Sequence, residues 1–331
     1  MSKSALFHYR LFPGDRDETH CHFVSSRGLL KSCRIHRHRP KSDTRTPPAV
    51  NPRRLRAHDS IYVSTRALAV FAERMLPQLK SPFTLVSGDA DLGVNSREMP
   101  AATLAALLGS PLVTEWFAQN LEPTRAKQSN MPIGMDFHTL ANRPQHAWGS
   151  FRTPIEQEQD LIAAARAAAP IADKRPLGYC NWHFAMNRGT RNACMARIDR
   201  NAVCFEPAPV PRAHSWATNA GMLFTISPTG AGVDCHRTWE AIALGTFPVV
   251  DRTGLSPLFA TLPVIEVDDW STVTADFLRR RADEMLPRNY DFAPMFLRHW
   301  TRRIAGEAPR SLVMSFQEFV DRGVETAGKV L

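Results

Sequence analysis

The sequence predicts an α/β protein of two domains, each built on a parallel sheet flanked by helices, with a helical C-terminus. Short apolar segments alternate with amphipathic segments along the chain, which is the pattern of a parallel sheet flanked by helices. The 331 residues exceed what a single hydrophobic core usually holds, so we expect two cores. A polar stretch with proline and glycine, residues 136–153, interrupts the alternation and places the domain boundary.

The first domain is expected over residues 1–150. Its predicted strands cover 61–64, 83–86, 113–118 and 131–133. Its predicted helices cover 65–79, where apolar residues recur every three or four positions, and 101–109, which ends at a glycine. Residues 27–58 are rich in Arg, His and Pro and predict a basic, loop-rich segment within this domain.

The second domain is expected over residues 151–290, followed by C-terminal helices in 291–331 that pack back on the first domain. An alanine-rich helix over 155–169 stops at Pro170. The other predicted elements of this domain are strands at 177–183, 222–226, 247–250 and 264–267, and helices at 190–199, 234–244 and 271–286.

The basic character of the chain is concentrated near its N-terminus. Residues 1–60 contain 13 Lys and Arg against 5 Asp and Glu, whereas the rest of the chain holds 28 and 27. Such a segment attracts phosphate-bearing partners, and we interpret it as a peripheral contact with an anionic membrane. A solvated stretch with no partner is the alternative. No aromatic residue lies between His36 and Ser60, so nucleic-acid binding through base stacking is not expected.

The sequence predicts a cytoplasmic protein, at most peripheral at the inner face of the membrane. No apolar run approaches the roughly 18 residues needed to cross a bilayer, and the first ten residues lack the pattern of a signal peptide. The six cysteines are therefore expected to be reduced.

We predict no metal site, because Cys21, His22, Cys33, His36 and His38 match no common zinc spacing.

One segment carries the functional prediction. Residues 222–251 read MLFTISPTGAGVDCHRTWEAIALGTFPVVD, which predicts a strand, a glycine loop, a helix and a second strand. Asp234 is expected to cap the start of the helix and Gly245 to follow its end. Gly230 and Gly232 allow close backbone approach, and a helix N-terminus favours an anion. The unit is therefore typical of a phosphate site.

The predicted helix carries a cation and an acid on one face. His236, Arg237 and Glu240 are three or four residues apart and thus neighbours on the helix surface. A guanidinium can pair with a pyrophosphate through two hydrogen bonds, and a carboxylate can accept from ribose hydroxyls. These residues predict a nucleoside-diphosphate site. An internal ion pair between Arg237 and Glu240 on a solvated helix is the alternative.

Two other functions compete for the same features. Gly230 and Gly232 match part of the dinucleotide fingerprint, and Asp251 ends the next strand where a ribose-binding acid would lie. This favours an NAD(P)-dependent oxidoreductase, although Cys235 occupies the place of the third glycine. The absence of a Lys-Ser/Thr pair after the loop excludes a P-loop. A non-catalytic basic module that binds nucleic acid is the third interpretation.

The segment resembles the nucleotide-sugar region of exostosin-like glycosyltransferases and their bacterial and viral relatives. The resemblance rests on the specific stretch Ser227-Pro-x-Gly-x-Gly-x-Asp234-Cys-His-Arg237-x-Trp-Glu240-Ala-x-x-Leu-Gly245-x-x-Pro248-Val-Val. Supporting similarity lies at 27–33, 59–63, 85–91, 116–120 and 132–136, so it spans most of the chain.

The resemblance implies a GT-B-like pair of Rossmann-like domains, whose parallel sheets face a central cleft. The donor site would lie in the second domain and the acceptor contacts would come from the first. We accordingly expect the chain to transfer a sugar from a nucleotide-sugar to a glycan or glycolipid, without a cofactor. By this likeness Arg237 contacts the diphosphate and Glu240 the ribose. The remaining residues of the predicted donor site are Gly230, Gly232, Asp234, His236 and Arg188.

The leaving diphosphate gains charge as the sugar bond breaks. A helix N-terminus with Arg237, joined by Arg188 or Arg191, would stabilise that charge without a metal. We expect inversion, which needs a base for the acceptor proton. Asp89 and Asp91 follow a strand of the first domain and are the predicted catalytic residues.

Asp136 and His138 are further candidates for the base. For each of these four side chains the alternative is a turn-forming aspartate or a surface histidine.

Overall fold

The structure is a computed structural model that describes residues 17–122, 125–143 and 145–331. The parts of the predicted first domain at 1–16, 123–124 and 144 lie outside the described residues. The described chain is a mixed α/β fold with two parallel sheets. Its first α-helix, α1 (Ser26–Ser32), is capped by Ser25, whose Oγ accepts from the Gly28 N–H at 3.0 Å.

The first sheet has four parallel strands in sequential order. They are β1 (Asp59–Ser64), β2 (Phe83–Gly88), β3 (Val113–Ala118) and β4 (Gln128–Asn130). The first three strands confirm the predicted positions. The prediction of a strand at 131–133 was wrong by three residues, because β4 is polar and pairs with β3 without an apolar pattern of its own.

Helical segments follow two of these strands. An irregular stretch over 65–78 begins and ends in 3₁₀ turns and contains a π turn at Phe71–Met75. Helix α2 (Ala101–Gly109) has the predicted bounds. The apolar side chains of both pack on the same face of the sheet.

The two faces of the first sheet belong to different cores. Ile61 and Leu85 pack with the 65–78 stretch and α2. Tyr62 and Phe117 point to the opposite face, since alternate residues of a strand do so. There they join a core that continues through the second sheet to the C-terminal helices. The two halves of the molecule therefore share continuous apolar packing.

A short helix and a small hairpin connect the two sheets. They are α3 (His138–Asn142), β5 (Gln145–His146) and β6 (Gly149–Ser150). Helix α4 (Pro154–Ala167) then begins with a capping box. The Thr153 Oγ1 accepts from the Glu156 N–H, and the Glu156 carboxylate accepts from the Thr153 N–H.

The second sheet has five parallel strands in the order β11-β10-β9-β7-β8. They are β7 (Arg175–Cys180), β8 (Val203–Phe205), β9 (Met222–Ser227), β10 (Phe247–Asp251) and β11 (Ile265–Val267). The chain runs from β7 to β8 on one side and returns to the other side of β7 for β9. This doubly wound order places a topological switch point between β7 and β9.

A helix follows each strand of this sheet. They are α5 (Arg191–Arg197), α6 (Arg212–Ala220), α7 (His236–Ala243), α8 (Ser256–Phe259) and α9 (Ala275–Met285). Gly245 follows α7 at φ +71°, as predicted for a residue just past a helix end. The sequence analysis did not predict β8 or α6.

The C-terminal part combines an antiparallel hairpin with two helices. They are β12 (Asn289–Asp291), α10 (Leu297–Ile304), β13 (Val313–Ser315) and α11 (Phe316–Val330). Helix α10 contacts the start of the described chain, where the Leu297 N–H donates to the His22 carbonyl at 2.8 Å. Across the described residues, no helix combines the length and the apolar character that a membrane crossing requires.

Candidate functional site

The candidate site lies where the loops after β7 and β9 meet, at the switch point of the second sheet. Gly189 has φ +52°, and a Cβ there would lie 2.4 Å from the Gly230 carbonyl oxygen. The Thr190 N–H donates to the Thr229 Oγ1 at 3.0 Å, which ties the two loops together. Open α/β sheets bind ligands in the crevice at this point.

The two glycines of the β9 loop lie against protein atoms. A Cβ on Gly230 would be 3.1 Å from the Cys235 Sγ, and one on Gly232 would be 2.9 Å from the Asn120 Nδ2. The Gly230 N–H also donates to the Gly232 carbonyl at 3.1 Å, closing a tight turn. These glycines therefore let other segments of the chain come close to the loop. One of them is Asn120, which follows β3 of the first sheet.

Two arginines at this loop have no acidic partner among the described residues. The Arg237 Nη2 donates to the Pro228 carbonyl, and the Arg191 Nη1 donates to the Ala185 carbonyl at 2.8 Å. The Nε atoms of Arg191 and Arg237 are buried without a hydrogen-bond partner. Burial, and then repulsion by Arg237, lowers the pKa of Arg191 to about 10. The loop therefore concentrates positive charge that lacks a protein counter-ion.

Arg188 adds a third cation to this region. It is exposed in the loop after β7, and its carbonyl accepts from the Arg191 N–H. Its charge also acts to lower the pKa of Arg191.

The predicted cap at Asp234 was wrong. The N-cap residue of α7 is Cys235, which makes no side-chain cap bond. The buried Asp234 carboxylate instead accepts from the Ile133 N–H at 2.7 Å and from the Trp239 Nε1 at 2.9 Å. Burial raises its pKa to about 6. Asp234 thus joins the two halves of the protein, and the first N–H groups of α7 receive no side-chain cap.

Glu240 does not pair with Arg237, so the internal ion pair that was the alternative interpretation is not formed. Its carboxylate lies 3.3 Å from the Arg212 Nη2 and accepts from the Trp216 Nε1 at 3.0 Å. The Arg212 guanidinium lies over the rings of Trp216 and Trp148, 5.2 and 4.5 Å from their centroids. One hydrogen bond and one ion pair leave Glu240 with unused acceptor positions, since a carboxylate has about four.

Arg212, Trp216 and Trp148 were not among the predicted site residues. The first two lie one turn apart on α6, a helix that it did not predict. Trp148 lies on the connecting hairpin with 39% of its surface exposed. An exposed tryptophan in a loop was the signal that could have drawn attention to this hairpin.

A histidine pair lies where the start of α7 meets the start of α3. The His236 Nδ1 is 2.7 Å from the Gly134 carbonyl, and the rings of His236 and His138 are 6.0 Å apart. The His138 Nδ1 lies 3.1 Å from the Asp136 Oδ1. The two Asp136 oxygens also accept from the N–H and the hydroxyl of Thr139. His138 is therefore an imidazole oriented by a buried carboxylate.

The charges around Asp136 favour its ionised form. Burial alone would raise its pKa, but His138, His236 and Arg212 together lower it below the usual range. Burial lowers the pKa of His138, and Asp136 opposes that effect.

Within the described ranges, Asp136, His138 and His236 are the one trio whose ligand atoms lie close enough to hold a metal ion, within 4.8 Å of one another. The Asp136 carboxylate already accepts from His138 and Thr139 and lies 3.7 Å from Arg212. Because its acceptor positions are occupied and a cation is adjacent, we interpret the trio as a hydrogen-bonded dyad beside a second histidine.

The two predicted catalytic aspartates have different surroundings. The Asp89 Oδ1 lies 3.2 Å from the Arg27 Nε and accepts from the Ser42 Oγ at 2.9 Å. Asp89 is buried at φ +54° and fixes the basic segment to the first sheet, so that segment is not a detached tail. Asp91, two residues later, is exposed.

Asp251 has both carboxylate oxygens engaged. One accepts from the Thr190 hydroxyl at 2.6 Å and the Thr229 N–H at 2.8 Å, and the other from the Trp270 Nε1 at 2.8 Å. This carboxylate links the loops after β7 and β9 to the end of β10. These bonds use three of its roughly four acceptor positions, so accepting from both ribose hydroxyls would require at least one of them to break.

Comparisons with known proteins identify no relative of this chain. No protein-family model matches the chain, and no curated protein matches it significantly.

Proposed function

We propose that this chain is a glycosyltransferase that moves a sugar from a nucleotide-sugar to a glycan or glycolipid, with inversion and without a metal. The observation that carries the proposal is the arginine pair at the switch point. Arg191 and Arg237 are partly or fully buried beside a glycine loop, repel each other and have unpaired Nε donors. Burying cations is costly unless an anion accompanies them, and a diphosphate supplies one.

In this proposal the leaving group is held by charge and by the helix. As the sugar–phosphate bond breaks, the diphosphate oxygen gains negative charge. Arg237 and Arg191 would pair with it, and the uncapped N-terminus of α7 would add its N–H groups. Arg188 is exposed in the same loop and would close over the outer phosphate.

Glu240 would accept hydrogen bonds from the ribose hydroxyls. It lies one turn beyond Arg237 on α7, and Arg212 and Trp216 hold its carboxylate in place. An adjacent cation of this kind fixes the direction in which the carboxylate presents its free acceptor positions.

His138 is the base that the geometry favours. With Asp136 holding Nδ1, the Nε2 keeps its lone pair for the acceptor hydroxyl. The hydroxyl oxygen would attack the anomeric carbon, its proton would pass to Nε2, and the bond to the diphosphate would break. Asp89 is less suited because Arg27 and Ser42 occupy it. Asp91 remains an alternative base.

The arrangement of the halves suits this chemistry. Asn120 and Gly134, from the first half, hydrogen-bond the start of α7 through the Asp234 N–H and the His236 ring. A GT-B-like cleft would place donor contacts on α7 and acceptor contacts on the facing loops.

Nucleotide titration tests the proposal. We expect UDP or GDP, but not NAD, to raise the thermal unfolding midpoint of the wild-type protein. Arg237→Met and Arg191→Met should each weaken nucleotide binding about tenfold or more. Arg197→Met is the matched control, because Arg197 lies exposed on the same helix as Arg191 and pairs with Asp269. Stabilisation by NAD alone, or equal nucleotide binding by all variants, would contradict the proposal.

A further inference from the structure

A cavity lies between the edge of the first sheet and the second half of the chain. None of its described lining residues belongs to the proposed donor site. It has a volume of about 260 Å³ and is bounded by β4, by α8 and the residues after it, and by α10. It thus touches the first sheet, the second half and the C-terminal helices. Taking roughly 30 Å³ per water molecule, it has room for a molecule the size of a monosaccharide.

The wall of this cavity combines polar and apolar side chains and carries a cation. The residues that matter for recognition are Gln128, Asn130, Thr261, His299, Trp300 and Arg303. Of the described residues that line it, none is acidic. A ligand there would meet amides, a hydroxyl, an imidazole and a guanidinium.

Arg303 is positioned by aromatic rings instead of by an acid. Its guanidinium lies 5.5 Å from the centroid of Phe117 and 5.0 Å from that of Trp300. It forms no ion pair with a carboxylate in the described part of the chain, although Glu115 acts on it from a greater distance. Two rings that hold a half-buried guanidinium flat leave its edge free for bidentate pairing with an oxyanion.

Two further polar atoms of the lining residues lack partners. The Asn130 Oδ1 and the His299 Nδ1 are buried without a hydrogen bond, and both side chains are more than nine-tenths buried. The Asn130 amide is held in place by its Nδ2, which donates to the Gly254 carbonyl at 3.2 Å. Since buried polar groups in proteins are nearly always hydrogen-bonded, these two atoms are exceptions among the residues that line the cavity.

We propose that this cavity binds a small polar molecule bearing a carboxylate or a phosphate, with its oxyanion on Arg303 and its hydroxyls on the surrounding amides. The ligand class follows from one unpaired guanidinium, several neutral hydrogen-bonding groups and a volume of monosaccharide size. The proposal does not depend on glycosyl transfer, because the cavity shares none of its lining with the arginine pair.

Calorimetric titration with three probes tests this site. Glucuronate and inorganic phosphate carry the oxyanion, and glucose is the neutral control of similar size. We expect glucuronate to bind with a Kd of about 1 mM and phosphate more weakly, while glucose gives no heat. Binding of glucose as tight as that of glucuronate, or binding of no probe at about 10 mM, would overturn the proposal.

Variants separate this cavity from other cationic sites. Arg303→Met should lose at least about tenfold in glucuronate affinity. Arg298→Met, on the exposed face of the same helix, should bind like wild type. Should Arg303→Met fold poorly, Thr261→Trp at the exposed rim fills the cavity instead and should also abolish binding. Wild-type affinity in Thr261→Trp would place the probe elsewhere and refute the site.

Nucleotide binding provides the independent readout. Both cavity variants should retain the UDP or GDP response of the wild-type protein. If the nucleotide response is absent from every protein while glucuronate binding still depends on Arg303, the proposed glycosyl transfer fails and the cavity site stands.

Discussion

Charged residues around the glycine loop fall into two groups according to whether the protein itself satisfies them. The carboxylates of Asp234, Asp251 and Asp89 accept from N–H and O–H groups distant in sequence, so each connects segments of the fold. Arg191 and Arg237 retain unpaired donors in the same neighbourhood. Unpaired buried charge is the better guide to a ligand, because its cost is recovered only on binding.

Replacement of His138 tests the proposed base. His138→Gln should lower kcat by about 10²–10⁴ with little change in nucleotide affinity, because it removes the proton acceptor and no donor contact. A turnover equal to that of wild type would exclude His138, and Asp91→Asn would then be the variant to measure.

The pH profile of Asp136→Asn tests how the base is oriented. Asp136 acts to raise the pKa of His138, against burial and the charges of His236 and Arg27. A base works in its neutral form, so activity falls as pH drops through its pKa. Removing Asp136 lowers that pKa further, and the acidic limb of the kcat profile should move to lower pH while kcat itself falls. Thr139→Val, which removes one cap bond to Asp136 but no charge, is the control and should leave the limb in place.

At the scale of elements, apolar strands and amphipathic helices could be predicted from the sequence, and polar or short ones could not. The strand before the glycine loop and the helix after it were placed within two residues. β8 has only three residues, and β4 is a strand because β3 offers its edge. Pairing of that kind depends on a neighbour that no local pattern reveals. The long-range hydrogen bond that the Ile133 N–H donates to the Asp234 carboxylate was hidden for the same reason.

The end of α7 provides a test at this scale. Gly245 has φ +71°, and a Cβ there would lie 2.7 Å from the Val320 Cγ2 and 3.0 Å from the Lys174 Nζ. We expect Gly245→Ala to lower the free energy of unfolding by about 1–3 kcal/mol. Gly109→Ala is the control, since Gly109 ends α2 with no atom within 4 Å of a new Cβ. It should be neutral or stabilise by up to about 1 kcal/mol. Chemical denaturation curves that show equal effects would refute this assignment.

On the scale of the whole molecule, the second face of the first sheet belongs to the same core as the second sheet. Hydrogen bonds reinforce that packing: the Asp234 carboxylate accepts from the Ile133 N–H, and the Gly254 N–H donates to the Glu122 Oε1 at 2.5 Å. Two halves joined in this way unfold together, and large closure movements would have to disrupt the shared core. Chain length and the alternation of strands and helices could predict two sheets. The contacts between the sheets are long-range and left no trace in the sequence pattern.

The surface charge of the whole molecule is the last feature that predicts a partner. Seven cations of the basic segment are exposed on the first half, namely Arg34, Arg39, Lys41, Arg45, Arg53, Arg54 and Arg56. We expect the protein to co-sediment with vesicles containing anionic phospholipid and to be released by added salt, because each cation near such a surface contributes about 1 kcal/mol.

Arg53→Glu/Arg54→Glu should weaken partitioning about tenfold or more. Arg279→Glu/Arg280→Glu makes the same change of net charge on exposed residues of α9 in the second half. Equal losses in the two double variants would mean that overall charge, and not this segment, attracts the vesicles. Binding that added salt does not reduce would exclude an electrostatic contact altogether.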